Sequence, residues 1–400
     1  MYAHSNPLIV EHVKELVFCP LAHNPHRGKR KWKRPFQAIK RSVEGRPDAF
    51  QTTMESVSHL TNISSITIEC SNAYNLGMFK KLTPVILSRW EPSRNTLTSL
   101  TLSIPLERLS TLVPTYLITF PHLESISIAF FTLRHSHTPH DILVEALNST
   151  VLPFINQHGL SLRALKVELR TVKFDLTPFL AGMKCLPNLQ SLSFPVTQAM
   201  QPRTIQTFLQ SSSESLRNLE ISFAFFIPDS NSFATICRYL KDIEISLPHI
   251  QNLTIDFNDH PGTFGQLATL AQMFQSSDDL ISLKLMRKSL IGTEVSSFLD
   301  PAYKVPGFTG LRHLHIGISN FTPQVIDLLA ARLPNLCELA VCVLSLRSET
   351  VDQYSAGHHV RSVSTFYWIQ HLHFTNPCPY FRCSVWRWKN ATTRLGSLST

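Results

Sequence analysis

Glycine is scarce in this sequence, 13 residues in 400, and both glycine-rich phosphate turns are missing. Neither G-x-G-x-x-G nor G-x-x-x-x-G-K-[ST] occurs, so no backbone cradle of the usual kind can form around a nucleotide phosphate. A G-x-S-x-G nucleophile elbow is absent as well. No paired carboxylates stand out, so neither enzyme activity nor a cofactor is expected. No apolar run reaches the ~20 residues that a membrane span needs. The apolar patch "PLIVEHVKELVFCPL" is broken by Glu11, Lys14 and Glu15, which argues against a signal peptide. A soluble protein of the cytoplasm or nucleus is the expectation. Eight cysteines in a chain this long are too dilute for a disulfide scaffold. Cys19, Cys70, Cys185, Cys237, Cys337 and Cys342 lie mostly in apolar neighbourhoods and are expected to be small buried thiols.

Acid is missing from one stretch altogether. Residues 358–400 hold five Lys/Arg and no Asp or Glu, and residues 1–50 hold ten Lys/Arg against four acids. The formal charge of +9 therefore belongs to the two ends, while residues 51–357 carry −2. A near-neutral body argues against nucleic-acid binding over a whole face.

What the sequence has in abundance is one phrase. "LPNLQSLSF" (186–194) returns as "LPNLCELAV" (333–341), and shorter versions of it run through the chain. They are "VKELVF", "ISSITI", "LTSLTL", "LESISI", "LRALKV", "LQSLSF", "LRNLEI", "IQNLTI", "LISLKL", "LRHLHI" and "LCELAV". From Leu97 onward the copies follow at 25 to 39 residues, the period of a stacked repeat. Side chains alternate across a strand, so the last two apolar positions of each phrase share a face. The first, three residues earlier, anchors the turn that leads in. One such strand cannot hide its apolar side, whereas parallel copies bury theirs in a continuous core.

Parallel strands need return segments, and these carry helical signals. "FTPQVIDLLAARLP" has Thr322 as N-cap, Pro323 at the first helical position, and apolar Val325, Ile326, Leu329 and Leu333 at helical spacing. "FGQLATLAQMFQSS", "DSNSFATICRYLKDI", "HDILVEALNSTVLPFI" and "LTPFLAGMKCLP" read the same way. The expected fold is α/β: a leucine-rich-repeat solenoid over residues 1–350, with a curved parallel sheet and helices on the convex side. A basic insertion occupies 26–46, and an atypical basic tail follows at 351–400.

By "LTNISSITIEC", "LTSLTLSIPLERLST" and "LPNLCELAV", the chain resembles the leucine-rich-repeat region of fungal F-box-like proteins of the mushroom type. The resemblance covers residues 8–350. It implies that the repeats hold a protein target on their concave face, within a ubiquitin-ligase receptor. In such proteins an upstream F-box docks on a cullin–RING ligase adaptor. Here the first phrase already begins at Val13, so that adaptor is an expected partner only if an F-box lies upstream.

The tail admits two readings. Val360-Arg361 can be encoded by a splice-donor-like GTGCGT and Tyr380-Phe381-Arg382 by an acceptor-like TATTTCAG, as in a retained intron followed by a frameshift. The alternative is that "WIQHLHF" (Ile369, Leu372, Phe374) forms a last strand of the repeat.

Three local clusters bear on partners. Lys29, Arg30, Lys31, Lys33 and Arg34 surround Trp32 within the basic segment 26–41. Such a run can serve as a nuclear-import signal or contact phosphates, but it also reads as a solvated insertion. His371, His373, Cys378 and Cys383 are spaced unlike a zinc site, so no metal is expected. His135, His137 and His140 read as loop residues ahead of Asp141. Positions between and after the buried strand residues face outward, Ser99 and Thr101 early, Ser282, His313 and His315 late. Of these, Lys166, Glu168, Glu220, Asp256, Lys284 and His315 are the expected contacts for a protein partner.

Overall fold

The computed structural model describes residues 12–18, 57, 60–70, 76–113, 118–131, 144–169, 175–197, 199–223, 247–257, 279–299, 310–319, 322–343, 373–375 and 384–389. The chain divides into two compact units, Met1–Leu189 and Gln190–Thr400.

In the first unit five strands lie parallel in chain order: β1 (Glu15–Phe18), β2 (Ser65–Glu69), β3 (Ser99–Pro105), β4 (Ser125–Phe131) and β5 (Ala164–Leu169). The second unit holds six more: β6 (Ser191–Val196), β7 (Asn218–Phe223), β8 (Asn252–Asp256), β9 (Ser282–Leu290), β10 (His313–Ile318) and β11 (Glu338–Val343). Every expected phrase forms a strand. In each unit the fold is α/β, a leucine-rich-repeat solenoid.

Burial follows the phrase. Its first position is buried in coil after coil, as Ile63, Leu97, Leu123, Leu162 and Leu189 in the first unit. Leu216, Ile250, Leu280, Leu311 and Leu336 repeat this in the second. The alternate strand positions, such as Leu100/Leu102 and Leu253/Ile255, are buried too. Each Leu or Ile removed from water in this way contributes roughly 1.5–3 kcal/mol. Aromatic rings extend the core between coils, with Trp90, Phe120 and Phe154 packed edge to face.

Backbone bonds stitch the coils together just before each strand. One carbonyl accepts from two consecutive N–H groups of the next coil: Ser64 from Thr98 and Ser99, Thr98 from Glu124 and Ser125, Gln251 from Ile281 and Ser282. Arg312 does the same for Cys337 and Glu338.

Two kinds of turn deliver the chain to this point. In the proline kind, the N–H of Leu123, Leu189, Ile250 or Leu336 bonds the carbonyl three residues back, on Phe120, Leu186, Leu247 or Leu333. Proline follows that carbonyl residue each time, where its missing N–H costs nothing and its fixed φ presets the turn. The longer kind reaches four residues back, from Leu97 to Ser93, Leu162 to His158 and Leu216 to Ser212. Here a hydroxyl replaces the proline as the ordering device. Thr96 Oγ1 donates to Ile63 O at 2.8 Å, and Ser161 Oγ donates to Leu123 O at 2.9 Å.

The return segments are helical where described. Pro323–Arg332 starts at Thr322 as expected, although the threonine side chain makes no capping bond, and Val325 and Leu329 are buried. Leu76–Trp90 and Pro202–Ser211 are further helices that the sequence reading did not single out. In the latter, Ile205, Phe208 and Leu209 turn inward at i, i+3 and i+4. The segment at 144–157 runs through a π turn, Leu147–Val151, into the helix Leu152–Gln157. Thr177–Gly182 is the helix of "LTPFLAGMKCLP". The segments "FGQLATLAQMFQSS" and "DSNSFATICRYLKDI" lie outside the described residues.

Several expectations need correction. Cys185 and Cys337 are exposed, and Cys70 and Cys342 are only half-buried. Cys337 occupies the link between the first phrase position and the strand, where Thr98, Glu124 and Arg312 stand exposed in other coils. Position in the repeat overrides apolar flanking residues. Ser282, read as outward-facing, is buried, and Leu339 is half-buried where its counterpart Leu192 is buried. No further parallel coil follows β11 among the described residues. Its other neighbour is β13 (Ser384–Lys389), which pairs antiparallel and is flanked by β12 (His373–Thr375). Phe374 thus lies in a strand that does not continue the parallel stack.

Candidate interaction surface

The strand positions that do not enter the core line up across neighbouring strands because the register is even. In the first unit Thr67, Thr101, Ser127 and Lys166 form one row, and Glu69, Ser103, Ala129 and Glu168 the next, where Ser103 and Ala129 are themselves buried. Short hydroxyl side chains dominate until β5. There Lys166 Nζ lies 2.8 Å from Glu168 Oε1, two residues along the same face. Both side chains are substantially exposed, so the pair is worth at most about 1 kcal/mol. Each nevertheless satisfies much of the other's charge locally.

The second unit presents a different face. Ser193, Glu220, Thr254, Lys284, His315 and Ala340 form one continuous cross-strand row. In the next row Ser222 stands beside Asp256. Lys284 is exposed, while Glu220, Asp256 and His315 are half-buried. These four expected contact residues therefore share one sheet face, and Lys166 and Glu168 belong to the face of the other unit. Asn252 Nδ2 donates to Asn218 Oδ1 at 2.6 Å, which ties β7 to β8 beside the charged row.

Register also reveals contacts that residue-by-residue reading missed. His313 Nδ1 lies 3.4 Å from Glu338 Oε2, one strand across. On the turns, His249 stands between Asp279 at 3.5 Å and Glu214 at 3.9 Å. Each of these residues falls near a fixed place in its coil, so superposing the phrases before asking which charges meet would have found them.

The first unit buries a histidine instead. His158 is 2% exposed, and Phe120 N–H donates to its Nε2 at 3.0 Å. Nδ1 therefore carries the proton and donates to Phe154 O at 2.8 Å. Phe154 and Phe120 pack on the ring, with centroids 4.7 and 5.8 Å away. Burial pushes the imidazole below the ordinary histidine value, and the bond to Phe154 offsets part of that. Both nitrogens are occupied by the protein, so this is a structural histidine.

Lys29, Arg30, Lys31, Lys33 and Arg34 lie outside the described residues, as do His135, His137, His140, His371, Cys378 and Cys383. Among the described residues no cluster of three or more His, Cys, Asp or Glu could hold a metal ion. No described helix is long and apolar enough to cross a membrane.

No family model matches this chain, and no curated protein matches it. A solved structure with which it shares similarity is the crystal structure of the TLR13–ssRNA13 complex, at 13% identity and a TM-score of 0.29. That match covers 73% of this chain and 45% of the other, so the chain spans under half the length of that relative.

Proposed function

We propose that this protein is a non-enzymatic scaffold that holds another protein on the outward face of its parallel strands, as the target-binding part of an F-box-type ubiquitin-ligase receptor. The observation that carries the scaffold reading is the cross-strand row of polar and charged side chains on β6–β11. A shallow, extended, mixed-charge surface suits a protein partner, whereas a small metabolite prefers a concave apolar pocket. What supports the receptor role is the resemblance of the repeat phrases.

Affinity purification of the tagged protein from its own cells tests both parts. Recovery of a cullin–RING adaptor together with a stoichiometric protein target is the expected result. A target without the adaptor removes the ligase role and keeps the scaffold. Salt-sensitive retention of nucleic acid with no protein target would replace both with a nucleic-acid role for residues 26–41.

A further inference from the structure

The outward row of the second unit changes sign along its length. Glu220 on β7 is acidic, and Lys284 on β9 and His315 on β10 are basic types. Asp256 on β8 adds a second acid on the β7–β8 side.

Glu220 and Lys284 stand two strands apart with Thr254 between them. At ~4.8 Å per strand, their backbones are separated by about 9.6 Å. Neither has an ion-pair partner among the described residues. The first unit lacks this arrangement, because Lys166 and Glu168 pair with each other.

We propose that this face recognises an extended segment of a partner protein carrying Lys or Arg at one position and Asp or Glu three residues away. The cation sits over Glu220 and the anion over Lys284. The inference rests on the scaffold reading and specifies the chemistry of its partner. Spacing selects the conformation. A polyproline-II segment has three residues per turn and rises ~3.1 Å per residue, so positions i and i+3 share a face about 9.3 Å apart. In a β-strand i and i+3 point to opposite sides. In an α-helix the nearest same-face match is i to i+7, about 10.5 Å. The short side chain of Thr254 between the charges leaves a shallow row, suited to a slim extended chain.

Selection of a random peptide display library against the full-length protein tests this. The expected enrichment is for opposite charges at i and i+3, in a single order. Glu220→Lys or Lys284→Glu should then weaken a selected peptide at least about tenfold, because like charges meet. The double variant Glu220→Lys/Lys284→Glu should prefer the charge-reversed peptide. Enrichment of charges at i and i+7 would overturn the extended partner in favour of a helix. Peptides enriched without a charge pattern, or insensitive to both substitutions, would overturn this inference and spare the scaffold reading. A selection that enriches nothing overturns both.

Discussion

The backbone N–H of Phe120 donates to Nε2 of His158, 38 residues later, across a 3.0 Å contact that joins two coils of the first unit. A protonated imidazole would place a second N–H against the first. Burial already holds His158 below its ordinary value. Above the unfolded-state value of about 6.5 the neutral ring contributes its full stability. That contribution is lost as pH falls through the lower folded-state value, because the unfolded chain binds the extra proton first. Denaturant midpoints measured from pH 8 downward should therefore decline in acid. His158→Leu should flatten the His158-dependent part of that decline. It should also cost about 1–3 kcal/mol at pH 8, since Phe120 N–H is left unsatisfied. Identical pH profiles for the two proteins would remove His158 from the account.

Thr96 and Ser93 share one turn yet differ in what their hydroxyls do. Thr96 Oγ1 bonds the Ile63 carbonyl of the preceding coil, whereas Ser93 Oγ is buried with no hydrogen-bond partner among the described residues. Thr96→Val should cost about 0.5–1.5 kcal/mol, and Ser93→Ala should be close to neutral. Equilibrium urea unfolding of the two variants checks the contrast, and equal losses would contradict it.

Leu192 and Leu339 hold the same place in the two copies of the long phrase. Leu192 is 1% exposed and Leu339 is half-buried. Leu192→Ala should lose about 2–5 kcal/mol, the range for a buried leucine, and Leu339→Ala should lose clearly less. Thermal denaturation of both variants gives the comparison directly.

Thiol labelling of the native protein, mapped by mass spectrometry, should modify Cys185 and Cys337 before Cys70 and Cys342. The first two are exposed and the others half-buried. Reversal of that order would argue that the coil ends are packed differently.

Lys166 and Glu168 offer a further check on the surface. A double-mutant cycle with alanine at each should give a coupling of about 1 kcal/mol or less, shrinking in salt. A much larger coupling would mean that the pair is shielded from solvent.

Much of this architecture was legible in the residues. The phrase places an apolar side chain at the turn and two more on one face of a strand, and Leu97, Leu100 and Leu102 are all buried accordingly. Pro323 and Pro334 bracketed a helix that runs from Pro323 to Arg332. Cys337 was misjudged because its apolar neighbours were weighed above its place in the repeat. Ser282 is buried although strand alternation alone points it outward.

What the sequence determined by itself is the strand, the turn and the side of each that leaves water, because alternation and proline geometry act over a few residues. The meeting of Glu220, Thr254, Lys284 and His315 in one row was decided only by tertiary structure. So were the buried bonds of His158 and the antiparallel pairing of β13 on β11. The physical reason is that coils of 25 to 39 residues return to a common register through long-range backbone bonds. The phrase marks which positions are equivalent, but only those long-range bonds set neighbouring copies side by side.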